Sequence, residues 1–133
     1  MPGKGHILVV DDELVIRSLL SEMLSEDGFS VATAEDGRRG LECIRQGGVD
    51  LVISDIHMPV MDGPQMLQEL KRTDPCLPVI VLDSIPDRSV AESQAESADA
   101  CLSKPFNLQE LRDTIGRLHG HLDTLRSITG MTE

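Results

Sequence analysis

Two hydrophobic patterns alternate along the chain, and together they are typical of an α/β protein. Continuous apolar runs rich in β-branched residues, at 7–10, 51–54 and 79–82, predict strands buried on both faces. Weaker runs at 30–34 and 100–103 predict strands nearer the sheet edges. The segments between these runs have apolar residues at helical spacing instead.

The helix patterns differ in strength. Asp36 and Asp62 are predicted N-caps, and Asn107 with Glu110 predicts a capping box. The stretch 86–97 predicts a poorer helix, because it is small and polar with few apolar residues to bury. The clearest apolar stripe runs at i, i+3, i+4, i+7 and i+8 through Ile16, Leu19, Leu20, Met23 and Leu24.

Strand and helix alternate five times with short connections, which predicts a parallel sheet with right-handed crossovers and helices on both faces. The predicted fold class is therefore α/β: a (βα)5 doubly wound, five-stranded sheet in the flavodoxin-like order 2-1-3-4-5. Such a winding places the functional crevice at the carboxyl ends of strands 1 and 3.

Acidic residues follow the predicted strands at that edge. Asp11 and Asp12 come after strand 1, Asp55 after strand 3 and Asp83 after strand 4. Carboxylates some 4–6 Å apart repel by roughly 1–4 kcal/mol, and a hard divalent cation with oxygen ligands compensates for that repulsion. The alternative is a set of solvated loop acids in an acid-rich chain, which is less favoured because these positions share one crevice.

The same acids argue against nucleotide binding. A flavin- or dinucleotide-binding fold needs glycine, hydroxyl groups and backbone amides after strand 1 to cradle phosphate. Here Asp11, Asp12 and Glu13 stand there and would repel a phosphate that carries no metal.

The composition argues against two classes of binding partner. The chain has 133 residues, which predicts one domain, and a net charge of −11 from 12 basic and 23 acidic residues. That charge argues against direct nucleic-acid or anionic membrane contact. The apolar run at 7–10 is too short for a signal peptide or a membrane span, so we expect a cytoplasmic protein.

The cysteines indicate a reducing compartment. Cys43, Cys76 and Cys101 are odd in number and far apart, which fits neither a disulfide framework nor a C-x-x-C site. We therefore predict that all three are buried thiols.

Four motifs stand in a fixed order: VVDDE at 9–13, DIHMPVMDG at 55–63, LPVIVL at 77–82 and KPF at 104–106. Together they resemble the response-regulator receiver domains of two-component signalling. The resemblance covers residues 5–120 and leaves 121–133 as an extension of the last helix and a tail.

The resemblance implies a role for each site residue. Asp55 is expected to accept a phosphoryl group from a sensor histidine kinase or phosphotransfer protein. Asp11 and Asp12, with Asp55 and the backbone carbonyl of His57, are expected to bind Mg²⁺ (or Mn²⁺). Lys104 is expected to pair with the phosphoryl group.

Two positions depart from the family. Asp83 stands where the switch threonine or serine is expected, and Cys101 where a switch aromatic is usual. Three hypotheses follow for Asp83: it points away while Ser84 supplies the hydroxyl, it is an outer partner of the metal, or the domain does not respond to phosphorylation. His57 and Ile85 occupy the positions that modulate the phosphoryl lifetime in the family.

The last helix has an apolar heptad seam that runs past the usual end of a receiver domain. The seam indicates either a slightly long terminal helix or a dimer or linker helix that leads to an output domain. Its members step by 3, 4, 3, 4 and 3 through Leu108, Leu111, Ile115, Leu118, Leu122 and Leu125.

The predicted function is thus a phosphoacceptor switch that catalyses only its own phosphorylation and dephosphorylation. The alternative is a phosphorylation-insensitive protein-interaction module that keeps the fold and the acidic pocket. Catalysis on an external substrate is not expected, since the sequence indicates neither a general base nor a substrate pocket.

Overall fold

A computed structural model describes residues 5–55, 63–83, 98–103 and 106–118. All of its strand pairs are parallel and follow the order β2-β1-β3-β4-β5, which confirms the predicted sheet. The strands are β1 (His6–Val10), β2 (Ser30–Ala34), β3 (Leu51–Asp55), β4 (Val79–Asp83) and β5 (Ala100–Ser103).

Four helices lie within the described residues: α1 (Leu14–Glu26), α2 (Gly37–Arg45), α3 (Gly63–Thr73) and α4 (108–118). The helix predicted at 86–97 and the Asp62 cap lie outside these residues. In the part of the chain that is described, no helix is long and apolar enough to cross a bilayer.

The sheet is buried on both faces because alternate residues of each central strand enter different cores. The first core is completed by α1 and α4, and the second by α2 and α3. The strand residues of the first core are Ile7, Val9, Leu51, Ile53, Ile80, Leu82 and Leu102. Those of the second are Leu8, Val10, Ala34, Val52, Val79 and Val81.

Side-chain hydrogen bonds cap the first turns of α2 and α4 at the predicted residues. Asp36 caps α2, since its Oδ1 accepts the Arg39 N–H at 2.9 Å. Asn107 caps α4, because its Oδ1 accepts the Gln109 N–H at 2.7 Å. An ion pair of 2.9 Å joins Arg112 of α4 to Asp27, the residue that ends α1.

Two helical leucines differ from the expected pattern. Leu19 is 42% exposed, because the buried stripe of α1 centres on Leu20, Met23 and Leu24 and leaves Leu19 at its margin. Leu118 packs against the first core, although the sequence predicted no obvious packing partner for it within one domain. Leu122 and Leu125 lie outside the described residues.

The prediction of three buried thiols is wrong. Cys76 is exposed because it lies in the turn between α3 and β4, and Cys101 is exposed on the edge strand β5. Cys43, on α2, is only half-buried.

Candidate functional site

A group of four carboxylates forms at the carboxyl edge of the sheet. Asp11, Asp12, Glu13 and Asp55 each place one oxygen so that all four lie within 4.8 Å of one another. Asp11 and Asp55 are buried, whereas Asp12 and Glu13 are exposed. We call this group the acidic cluster.

The sheet brings the two buried members together. Asp55 is the last residue of β3, and Asp11 directly follows β1, which pairs with β3 through Val10 and Ser54. Because side chains alternate along a strand, Asp55 continues the face of Leu51 and Ile53. Asp11 likewise continues the face of the first core, so the two carboxylates share one side of the sheet.

The turn from β1 into α1 supplies the other members and is held by three hydrogen bonds of Asp11. The Asp11 N–H donates to the Ala34 carbonyl at 3.1 Å. The Asp11 Oδ1 accepts the Glu13 N–H at 2.9 Å. The Asp11 carbonyl accepts a hydrogen bond of 2.7 Å from Nη1 of Arg17.

This donor set fits a divalent cation. Mg²⁺ prefers carboxylate oxygens and keeps several waters, so a cluster with two buried and two exposed acids suits its partly hydrated state. Glu13 was not among the expected metal ligands. The signal for it was its place directly after the acidic pair in a tight turn.

Asp83 lies outside the acidic cluster. It is buried and is the last residue of β4, but the strand pleat places it on the face of Val81 rather than that of Leu82. In the register of the sheet this is also the face of Cys101, the partner of Val81. Asp83 is therefore not a member of the acidic cluster, and the three hypotheses for its role stay predictions.

The pKa of Cys101 reflects this neighbourhood. Although Cys101 is exposed, partial burial of its thiol raises the pKa above the ordinary value, and the negative charge of Asp83 raises it further. The thiol is therefore protonated at neutral pH. The two residues that depart from the family are thus electrostatic neighbours of one another.

Several expected site residues lie outside the described part of the chain. They are Lys104, which is expected to pair with the phosphoryl group, and His57, Ser84 and Ile85.

The family of the chain follows from comparison with known proteins. Residues 7–116 match the response regulator receiver domain, and the chain belongs to this family. The acidic pocket of Asp11, Asp12 and Asp55 is present in it. The class defined by fold and site is therefore a receiver domain, homologous to the response regulators of two-component signalling.

Individual relatives show the same relationship. The chain is similar to the transcriptional regulatory protein GlrR of Escherichia coli, with 41% identity over 84% of the chain and 25% of GlrR. It is 44% identical to the response regulator MprA of Mycolicibacterium vanbaalenii over 80% of the chain and 46% of MprA. The chain thus spans less than half the length of these two curated relatives.

Among solved structures, the response regulator TrrA of Thermotoga maritima in complex with Mg²⁺-BeF is 36% identical, with a TM-score of 0.79. That match covers 86% of this chain and 98% of the TrrA chain. A receiver domain protein from Clostridium thermocellum matches with 31% identity and a TM-score of 0.84, over 91% of this chain and 98% of its own.

Because Asp83 stands apart from the acidic cluster, we predict that Asp83→Asn changes the Mg²⁺ dissociation constant by no more than about threefold. Asp12→Asn removes a charged member of the acidic cluster and should weaken binding by roughly tenfold or more. Calorimetric titration of both variants with Mg²⁺ measures the difference. A loss for Asp83→Asn as large as that for Asp12→Asn would place Asp83 among the ligands.

The same Asp83→Asn change should lower the pKa of the Cys101 thiol, because it removes a nearby negative charge. The pKa should stay above its ordinary value, since desolvation is the larger cause. Alkylation rates against pH, in a background with Cys43→Ser and Cys76→Ser, give both values. Identical pH profiles with and without Asp83 would contradict the prediction.

Proposed function

We propose that the chain is a phosphoacceptor switch in which Asp55 takes a phosphoryl group from a phosphohistidine of a sensor histidine kinase or phosphotransfer protein. The observation that carries the proposal is the position of Asp55. It is 2% exposed, ends β3, and has an oxygen within 4.8 Å of oxygens from three other carboxylates.

The chemistry suits a carboxylate nucleophile. An oxygen of Asp55 attacks the phosphorus, the P–N bond to the imidazole breaks, and an acyl phosphate forms. A bound Mg²⁺ (or Mn²⁺) would neutralise the carboxylates and the charge on the phosphoryl oxygens. Asp11, Asp12 and Glu13 would hold the cation together with Asp55 and the backbone carbonyl of His57, while Lys104 would pair with the transferred group.

The position of Asp83 supports this proposal over the alternative of a phosphorylation-insensitive interaction module. A carboxylate at the end of β4 would oppose an incoming phosphoryl group if it belonged to the acidic cluster. It is not a member of that cluster, and the strand pleat places it on the face of Val81 and Cys101. The TrrA complex with Mg²⁺-BeF further supports Mg²⁺ as the ion of this chain.

An exposed apolar patch next to the acidic cluster supports a protein as the phosphoryl donor. Leu14 and Val15 are 67% and 75% exposed, and with Leu19 they line the start of α1 directly after Glu13. A partner that brings its phosphohistidine to Asp55 must approach this edge of the sheet. We propose that this α1 patch docks an apolar helical face that surrounds the donor histidine.

The boundaries are part of the same proposal. We propose that residues 5–120 form the receiver domain. We further propose that 121–133, which lie outside the described residues, serve as a linker to an output domain or as a dimer helix. The switch then acts in the cytoplasm, where sensor kinases present their phosphohistidine.

Acetyl phosphate with Mg²⁺ should phosphorylate the wild-type chain once, while Asp55→Asn should stay unmodified because the nucleophile is lost. Intact mass spectrometry measures the gain of one phosphoryl group. Asp50→Asn, at the opposite end of β3, is the matched control, since its side chain accepts the His6 N–H far from the cluster. An unmodified wild type would support the interaction module, and equal modification of Asp55→Asn would contradict the assignment of the nucleophile.

Replacing Val15 and Leu19 by Gln should raise the KM for phosphotransfer by roughly tenfold, or about 1.4 kcal/mol, because interface anchors are lost. The donor is the sensor kinase that phosphorylates the wild type fastest in a purified panel. Phosphorylation by acetyl phosphate should not change, since the small donor needs no docking. Arg72→Gln on α3 is the control, and an equal effect of that variant would contradict a role specific to the α1 patch.

A further inference from the structure

Arg17 contacts the site without belonging to the acidic cluster. It is the fourth residue of α1, is half-buried, and reaches back so that Nη1 donates to the Asp11 carbonyl at 2.7 Å. Its own N–H donates to the Glu13 carbonyl at 3.1 Å, the hydrogen bond that begins the helix. The residue therefore holds both ends of the turn that supplies Asp11, Asp12 and Glu13.

We infer that Arg17 is a positioning residue of the acidic cluster: its guanidinium fixes the main chain of Asp11 and thereby places three of the four carboxylates for the metal. The inference rests on the proposed function, because it assigns Arg17 a role in preparing that same site.

The hydrogen bonds of Asp11 explain why one guanidinium matters. Asp11 is fully buried, so its carbonyl has no access to water and depends on a donor from the protein. Arg17 supplies that donor with a charge-assisted hydrogen bond. The Asp11 side chain is then held against the Glu13 N–H, which fixes the two residues relative to each other.

A second role for Arg17 is a counter-charge that reduces repulsion among the acids. The two roles predict opposite signs for metal binding. Removing a positive charge near a cation site strengthens cation binding through electrostatics alone. Removing a residue that positions the ligands weakens it.

Arg39 offers a matched control. It lines the same open cleft as Arg17, between α1, β2 and α2, and has the same charge. Its side chain is exposed and pairs with Glu42 at 3.5 Å on its own helix. Arg39→Met therefore removes a similar charge from the same cleft and leaves the turn of the acidic cluster unchanged.

The experiment titrates Mg²⁺ and Mn²⁺ calorimetrically into the wild type and into Arg17→Met, Arg17→Lys and Arg39→Met. We expect Arg17→Met to bind Mg²⁺ roughly tenfold more weakly in spite of its lost positive charge. Arg17→Lys should recover part of the affinity, because an ammonium can donate to the same carbonyl. Arg39→Met should bind within about twofold of the wild type. Unchanged or tighter binding by Arg17→Met would overturn the inference.

Hydrogen exchange of the metal-free protein separates positioning from general stability. In Arg17→Met the Glu13 amide should exchange faster, because its acceptor on Asp11 is no longer held, while amides of α3 should keep their wild-type rates. A uniform acceleration across α1 and α3 would show a merely structural role and overturn the inference.

Phosphorylation distinguishes this inference from the proposed function. With acetyl phosphate as the phosphoryl donor, Arg17→Met should need roughly tenfold more Mg²⁺ to reach half of its maximal phosphorylation rate. At saturating Mg²⁺ its rate should approach that of the wild type. If the wild type is not phosphorylated on Asp55, the proposed function fails while the Mg²⁺ titrations still test Arg17. If the wild type is phosphorylated and Arg17→Met has the same Mg²⁺ dependence, the inference on Arg17 fails alone.

Discussion

The mutual repulsion of the carboxylates at the carboxyl edge is the constraint on which the rest of the site depends. Four acids with oxygens within 4.8 Å of one another destabilise the fold that assembles them, and two are removed from water. The free energy of burying apolar side chains offsets this cost, because β1 and β3 are central strands buried on both faces. A cation that binds only the folded chain then adds to its stability by mass action. Binding of such a cation would therefore link metal affinity to folding stability in this domain.

Much of the fold could be predicted because its signals are local and repeated. Continuous apolar runs gave the central strands, and the alternation of strand and helix gave the order of the sheet. The acids at 11, 12 and 55 could be placed together because the carboxyl ends of parallel strands meet at one edge. In each case one principle determined the position without knowledge of side-chain packing.

The remaining features depend on orientation. Asp83 ends a strand at the same edge, and the sequence left three hypotheses for its role. The pleat places it on the face of Val81 and Cys101. The pairing register decides which residues of two neighbouring strands share a face of the sheet. Because Asp55 pairs with Leu82, the next residue, Asp83, is assigned to the opposite face. Cys76 is exposed because it lies in a turn, and Leu19 is exposed because it lies at the margin of the buried stripe of α1. No sequence motif marked Arg17, since its role depends on a hydrogen bond from its side chain to the Asp11 carbonyl, six residues earlier in the chain.

Helix α1 connects two ends of the molecule. Its 13 residues form a rod about 20 Å long. At one end Arg17 is hydrogen-bonded to the turn of the acidic cluster, and just past the other end Asp27 is paired with Arg112 of α4. The α1 sequence contains neither proline nor glycine, the residues at which a helix most often kinks. The turn of the acidic cluster and α4 are therefore attached to opposite ends of one helix, on the face of the sheet that carries the first core.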